Sequence, residues 1–275
     1  MIKAKKRFGQ HFLEPAWVTR LIDRVDPQPD DTFLEIGPGR GALTRPLAQK
    51  VRRLIAVELD RDLAAALPAR LPSHVTVVQH DALTMDLAAL LAGETLPVRV
   101  VGNLPYNVAS PILFKLLHSA AHGRVFSDAT LMLQKEVADR VVAIPGSDDY
   151  GAMAIQVALL ADAERLMTLP PGAFRPPPKV TSAVVRLRFR TPAEPVGDQD
   201  TFERLVRGLF QQRRKTVDNA LVPVASTFAL DAAQVIEYAQ VDGRKRPEQL
   251  TLAEFAALSR AVLYFSPKSL SPPEF

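Results

Sequence analysis

Four short stretches concentrate the residues that could do chemistry. The first is Glu35-Ile36-Gly37-Pro38-Gly39-Arg40-Gly41, between an apolar strand pattern and a helix pattern. Glycines at such a junction let the backbone turn tightly and let a ligand approach main-chain N–H groups. On its own the loop could serve a nicotinamide dinucleotide, a flavin or S-adenosylmethionine, or be a tight turn with no ligand. Two details speak against a dinucleotide. That fingerprint is Gly-x-Gly-x-x-Gly, whereas the spacing here is Gly37-x-Gly39-x-Gly41. Pro38 and the acid Glu35 also do not suit a pyrophosphate. A carboxylate there would repel phosphates but could orient the loop or a cationic amino-acid ligand. That favours S-adenosylmethionine, whose tail carries an ammonium and a carboxylate.

The second stretch is Glu58-Leu59-Asp60 at the end of another strand pattern. An acid about 20 residues past the glycines can accept hydrogen bonds from ribose hydroxyls. Glu58 suits that role, and Asp60 suits a helix N-cap. The third is His80-Asp81-Ala82, where Asp81 could accept from an adenine amino group. The fourth, Val101-Gly102-Asn103-Leu104-Pro105-Tyr106, has what methylation of an exocyclic amine requires. The N6 lone pair of adenine is delocalised into the ring, so acceptors must hold its N–H groups while the lone pair faces the methyl donor. Asn103 supplies a side-chain carbonyl and Leu104 a backbone carbonyl. Pro105 restricts Leu104 to an extended backbone, and Tyr106 offers a ring on which a base can stack. A sulfonium is already activated, so positioning and electrostatics can carry most of the work. No general base, metal or covalent nucleophile is required. The non-chemical alternative is a strand-ending turn with a core tyrosine.

These stretches need elements to position them. Thr32–Ile36, Arg53–Leu59, Val75–Gln79, Val98–Val101 and Ala129–Leu133 are short apolar runs suited to buried parallel strands. Helical patterns cover Pro15–Val25, Ala42–Val51, Asp62–Leu71, Ser110–Ala121 and Gln134–Ile144. Such alternation predicts a parallel sheet with helices on both faces. Ala163–Thr168 and Ser182–Phe189 are separated by a Pro-rich loop, which predicts an antiparallel pair closing the sheet. Residues 191–200 read as a linker. Helical patterns alone follow, at Phe202–Phe210, Thr216–Leu221, Ala232–Tyr238 and Ala253–Tyr264, and Thr251 with Glu254 fits a capping box. The expected division is therefore a catalytic domain over 1–190 and a helical domain over 191–275.

Composition bounds the rest. The 275 residues are 47% hydrophobic and 23% charged, an ordinary globular mix, with no cysteine. Disulfides, thiolate zinc sites, iron–sulfur clusters and a cysteine nucleophile are excluded. The five histidines show no metal-ligand spacing. No signal-peptide core or spanning run is evident, and the absence of cysteine fits a cytosolic protein. Lys and Arg number 34 against 30 Asp and Glu. The excess equals that of the first twenty residues, where Lys3, Lys5, Lys6, Arg7 and Arg20 face only Glu14. A basic arm on a balanced body is a candidate phosphate contact.

Together the Asn-Leu-Pro-Tyr tetrapeptide and the Gly-Pro-Gly-x-Gly loop resemble those of the ribosomal RNA adenine N6-dimethyltransferase family. Further motifs match in order: Gly9-Gln10-His11-Phe12-Leu13, Met132-Leu133-Gln134-Lys135-Glu136-Val137-Ala138, Phe174-Arg175-Pro176-Pro177-Pro178-Lys179-Val180 and Gln212-Arg213-Arg214-Lys215. The resemblance runs from end to end. It implies an α/β, Rossmann-like class I S-adenosylmethionine-dependent methyltransferase fold with a small C-terminal all-helical domain.

The bacterial small-subunit branch is the nearest match. It implies dimethylation of two adjacent adenines in a hairpin loop near the 3′ end of that RNA. The expected substrate is a partly assembled 30S-type subunit, and the expected state a monomer. His11 and Leu13 match the family's cofactor-contacting arm, Gly37 and Gly39 its glycine loop, Glu58 its ribose acid, and Asp81 with Ala82 its adenine side. Asn103 matches the motif Asn, and Leu104, Pro105 and Tyr106 the base-holding tetrapeptide. Phe174 matches an aromatic expected on the other face of the target base. Lys5, Lys6, Arg7, Arg213, Arg214 and Lys215 are the expected RNA contacts. His11 departs from the more frequent Asn, and His80 stands where Gly often precedes the acid. The rival readings are the related large-subunit enzyme, an assembly factor whose binding rather than methylation matters, and a dinucleotide oxidoreductase.

Overall fold

The structure is a computed structural model that describes residues 11–121, 123 and 125–266. Lys3, Lys5, Lys6, Arg7, Gly9, Gln10 and His122 lie outside the described residues. The chain divides into two compact units: residues 1–142 with 160–191, and residues 143–159 with 192–275.

The first unit is built on a seven-stranded sheet. Its strands are β2 (Thr32–Ile36), β3 (Arg53–Glu58), β4 (Val75–Gln79), β5 (Val98–Asn103), β6 (Phe126–Gln134), β7 (Ala161–Leu169) and β9 (Ser182–Phe189). The order is β4-β3-β2-β5-β6-β9-β7. The first five strands in that order run parallel, whereas β9 is antiparallel to both β6 and β7. The expected closing pair is therefore present at the sheet edge. All five residues of β2 are buried, as a central parallel strand covered on both faces requires. Phe33, Leu34, Leu54 and Ile55 are among the fully buried side chains, each contributing about 1.5–3 kcal/mol of burial.

Helix α1 (Pro15–Val25) shows how sequence sets such an element. Proline stands at its start, where no N–H partner is needed. Val18, Leu21, Ile22 and Val25 recur at helical spacing and are buried. Asp26, in the left-handed region at φ 52°, ends it. Trp17 packs partly buried against that cluster. Helices α2 (Thr44–Ala48), α3 (Arg61–Ala66), α4 (Leu87–Leu90), α5 (Tyr106–Ala121) and α6 (Lys135–Val141) complete the unit. Two short strands that the sequence did not announce, β1 (Phe12–Leu13) and β8 (Phe174–Arg175), pair antiparallel.

The second unit holds α7 (Ala152–Leu160), except for its last residue, with α8 (Gln199–Gln211), α9 (Val217–Ser226), α10 (Ala232–Ala239) and α11 (Leu252–Phe265). The capping box of Thr251 and Glu254 is formed at the start of α11. The single cut expected at 190/191 needs correction, because residues 143–159 group with the helical part. Tyr150 donates to the Leu250 carbonyl at 3.0 Å, and Gly146 N–H to the Glu248 carbonyl at 2.9 Å. Such bonds are made only in three dimensions, so the linker composition at 191–200 could mark only one of three crossings. Among the described residues, no helix is long and apolar enough to cross a membrane.

Candidate active site

The carboxyl ends of β4, β3, β2 and β5 lie side by side, and the chain reverses its direction of strand addition between β2 and β5. Open α/β sheets bind ligands at that reversal. A cleft of about 330 Å³ is found there. It is lined by Gly37, Gly39, Glu58, Asp81, Ala82 and Asn103, together with His11 and Leu13 from β1 and its approach. Leu104, Pro105 and Tyr106 complete the wall. The loops after four strands and a distant arm are thus brought to one place.

The glycine loop is shaped by its own backbone. Gly37, Gly39 and Gly41 have φ of 73°, 57° and 80°, where a side chain is strained. A Cβ on Gly39 would also come within 3.0 Å of the Phe12 ring. Glu58 fastens this loop. Its Oε2 accepts from Gly39 N–H at 2.9 Å, and its Oε1 from Asp60 N–H at 2.8 Å. The expected ribose acid therefore also holds the turn, using one lone pair on each oxygen and leaving capacity for a ligand. Burial pushes its carboxyl pKa up despite these bonds. Asp60 caps α3 as expected. Asp81 likewise fixes its own loop, accepting from Leu83 N–H at 2.9 Å, while Lys115 donates to the Leu83 and Met85 carbonyls.

Asn103 is oriented by the arm. Its Nδ2 donates to the His11 carbonyl at 2.7 Å. A carbonyl can only accept, so the amide has one possible orientation, and Oδ1 is the atom left for another donor. Gly102 just before it is tightly placed. A Cβ there would stand 2.8 Å from Leu104 Cδ2 and 3.0 Å from the Ile36 carbonyl. At the following turn Val108 N–H donates to the Pro105 carbonyl, which does not use that of Leu104. The Leu104 side chain is buried. Tyr106 is anchored through its hydroxyl to Ser182 Oγ at 2.6 Å, and burial raises its pKa. The His11 ring stacks on the Tyr106 ring, centroids 5.8 Å apart.

Two expectations change. Phe174 does not line the cleft. It is 2% exposed and sits in the core cluster with Leu13, Val18 and Leu21. The reason is its pairing: β8 aligns Phe174 with buried Leu13, so side-chain alternation sends Arg175 outward instead. The proline-rich loop serves as an anchor for the arm. Glu14 N–H donates to the Ala173 carbonyl, and His11 Nδ1 lies 2.8 Å from the Pro176 carbonyl. Arg213 is the second. Its guanidinium pairs with Glu248 at 2.5 Å and donates to the Asp148 carbonyl at 2.7 Å, a bond within the helical unit. Arg214 and Lys215 are exposed. Among the described residues, no cluster of His, Asp and Glu could hold a metal ion.

Sequence reading passed over Leu59 and gave Glu35 only a general part. Leu59 is 47% exposed and borders the cleft beside Glu58. An exposed leucine between two acids was the available signal. Glu35 is 1% exposed, its pKa raised to about 8 by burial and then by the nearby Glu58 charge. A nucleoside joined to a cationic amino acid fits this donor set. The acids line one wall, the positive-φ glycines leave room for close approach, and Glu35 Oε2 has no partner among the described residues.

The chain is 45% identical over 261 residues to ribosomal RNA small subunit methyltransferase A of Acinetobacter baylyi, covering 94% of this chain and 92% of that protein. It is 44% identical to the protein of the same name from Aromatoleum aromaticum, over 98% of both. A dimethyladenosine transferase from Plasmodium falciparum superposes with a TM-score of 0.77 at 25% identity, over 90% of this chain and 96% of that one. The 23S rRNA methyltransferase ErmE gives 0.65 at 26%, over 91% and 99%. The profile described as ribosomal RNA adenine dimethylase matches residues 1–259, and the chain belongs to that family.

Proposed function

We propose that this protein transfers methyl groups from S-adenosylmethionine to N6 of two adjacent adenines in a hairpin loop near the 3′ end of small-subunit ribosomal RNA. The observation that carries this reading is the fixed Asn103 amide at the reversal point of the sheet, with Oδ1 left for a donor. Identity of about 45% to proteins named for the small subunit favours that RNA over the large one.

The cofactor, when bound, supplies a methyl group on a sulfonium. The chain's own residues do the rest. Glu58 and Asp81 accept from the nucleoside part, and Leu59 gives it an apolar face. Asn103 Oδ1 and the Leu104 carbonyl accept the N6–H groups of the target adenine and so aim its lone pair. Tyr106 packs on the base once the His11 ring leaves its face. Preorganised acceptors in a partly dry cleft need no rearrangement during the reaction.

The expected substrate is a partly assembled small subunit in the cytoplasm, acted on by a monomer. Arg214 and Lys215 of the helical unit contact RNA phosphates, as do Lys5, Lys6 and Arg7. The test is incubation of the protein with labelled S-adenosylmethionine and small subunits lacking the modification. Mass spectrometry then maps the label. Dimethyladenosine at two adjacent loop positions supports the proposal. Label on large-subunit RNA alone overturns the choice of RNA, and tight binding without label leaves an assembly factor.

A further inference from the structure

Lys115 stands in the second half of α5, the helix that opens at Tyr106 and places Ile112 on the cleft wall. Its ammonium donates to two backbone carbonyls of the loop after β4, that of Leu83 at 2.8 Å and that of Met85. Asp81 holds the same two residues from their other ends. Leu83 N–H donates to Asp81 Oδ1 at 2.9 Å, and Met85 N–H to the Asp81 carbonyl at 3.0 Å. Leu83 and Met85 are therefore each tied to Asp81 through the amide nitrogen and to Lys115 through the carbonyl. The side chain is half-buried. Burial pulls its pKa below the usual lysine value, and the negative charges of Asp81 and Asp86 oppose that pull. The helix itself packs through Ala109, Ile112, Leu113, Leu116 and Leu117, so its burial does not depend on Lys115. What the ammonium fastens is the loop that carries Asp81 to the cleft.

We infer that Lys115 is a positioning residue that aims the Asp81 carboxylate and so sets the preference of the cleft for a nucleoside with an amino group on its base. This rests on the reading in which the cleft takes S-adenosylmethionine with its adenine against Asp81. Adenine differs from hypoxanthine by an amino group, a donor, in place of a ring carbonyl, an acceptor. A carboxylate accepts and never donates. It favours the first base and opposes the second, but only while its oxygen is held within bonding distance. Leu83 and Met85 supply that hold, and their carbonyls rest on Lys115. Without the ammonium both carbonyls lose their partner, the loop is free to shift, and the carboxylate is no longer aimed. A change at Lys115 therefore acts on the choice of base more than on the rest of the ligand, which faces Glu58 and the glycine loop.

The experiment is isothermal titration of the intact protein with S-adenosylhomocysteine and with S-inosylhomocysteine, which carries the ring carbonyl in place of the amino group. The wild type should favour the adenosyl ligand by about tenfold or more, the scale of one hydrogen bond to a charged acceptor. Lys115→Met keeps the apolar stem and removes the ammonium. It should weaken the adenosyl ligand by about tenfold and the inosyl ligand by less than about twofold, so that the ratio falls toward one. Lys115→Arg, which keeps a cation with several donors, should restore most of the ratio. If Lys115→Met does not fold, Lys115→Gln, uncharged and one atom shorter, takes its place with the same narrowing expected. A loss confined to folding stability would leave the ratio where it was. Equal weakening of both ligands, or weakening of neither, overturns this inference and leaves the cofactor reading standing. A wild type that binds the two ligands alike, or binds neither, overturns the placing of adenine against Asp81 as well.

Discussion

Asn103 Nδ2 donates to the backbone carbonyl of His11 at 2.7 Å across 92 residues of sequence. This one bond couples the arm to the motif that ends β5, and it decides which face of the amide meets substrate. Replacing Asn103 with Asp keeps the shape but turns the donor into a second acceptor facing that carbonyl. Methyl transfer to small-subunit RNA should fall by about 10²–10³-fold, the scale of losing one preorganised hydrogen-bonding group. S-adenosylhomocysteine affinity should fall much less. Single-turnover rates beside titration of the ligand would check the split.

Glu58 links the glycine loop to the start of α3 through one oxygen to each. Glu58→Gln must present an amide NH₂ to one of two backbone N–H groups. We expect S-adenosylhomocysteine binding to weaken by about 10–100-fold, equivalent to roughly 1.4–2.7 kcal/mol. Glu58→Asp should also weaken it, because the shorter side chain cannot span both donors. Equilibrium binding of the two variants is the measurement.

Phe174 and Tyr106 should separate cleanly. Phe174→Ala opens a cavity in the core and should cost about 3–5 kcal/mol of stability, read by denaturant unfolding. Tyr106→Ala removes the base-facing ring and should lower turnover more than stability. If Phe174→Ala left stability intact and abolished activity, its side chain would act at the base after all.

Ligand-free stability should depend on pH through Glu35. A carboxyl whose folded pKa is about 8, against 4.5 unperturbed, binds an extra proton in the folded state between those values. Its contribution to stability is therefore full below about pH 4.5 and is lost as pH rises through 8, at up to about 1.4 kcal/mol per pH unit. Glu35→Gln should flatten that decline. Unfolding midpoints of both proteins at a series of pH values would show it.

In the helical unit, Arg213→Ala should lower stability by about 0.5–1 kcal/mol, since its partly exposed ion pair with Glu248 is lost. The pair Arg214→Ala and Lys215→Ala should leave stability unchanged. It should instead reduce the slope of log affinity against log salt for RNA by about 1–2. Binding titrations over a salt series distinguish these effects.

Much of this was legible from the residues alone because it depends on local chemistry. The period of apolar residues marked α1 from Pro15 to Val25 and the strands Thr32–Ile36, Val75–Gln79 and Ser182–Phe189 without error. Glycine spacing at Gly37 and Gly39, acids at strand ends and the Asn103–Tyr106 turn carry their signals within a few positions. What lay beyond was decided by contacts between distant segments. Whether Phe174 faces a base or the core depends on its register with Leu13, which no local pattern encodes. The same holds for Arg213, whose partners Glu248 and Asp148 are 35 and 65 residues away. A carboxyl's proton affinity depends on how completely it is buried and what stands beside it. Glu35 could thus be placed by sequence, but the rise in its pKa could be set only by the packed sheet around it.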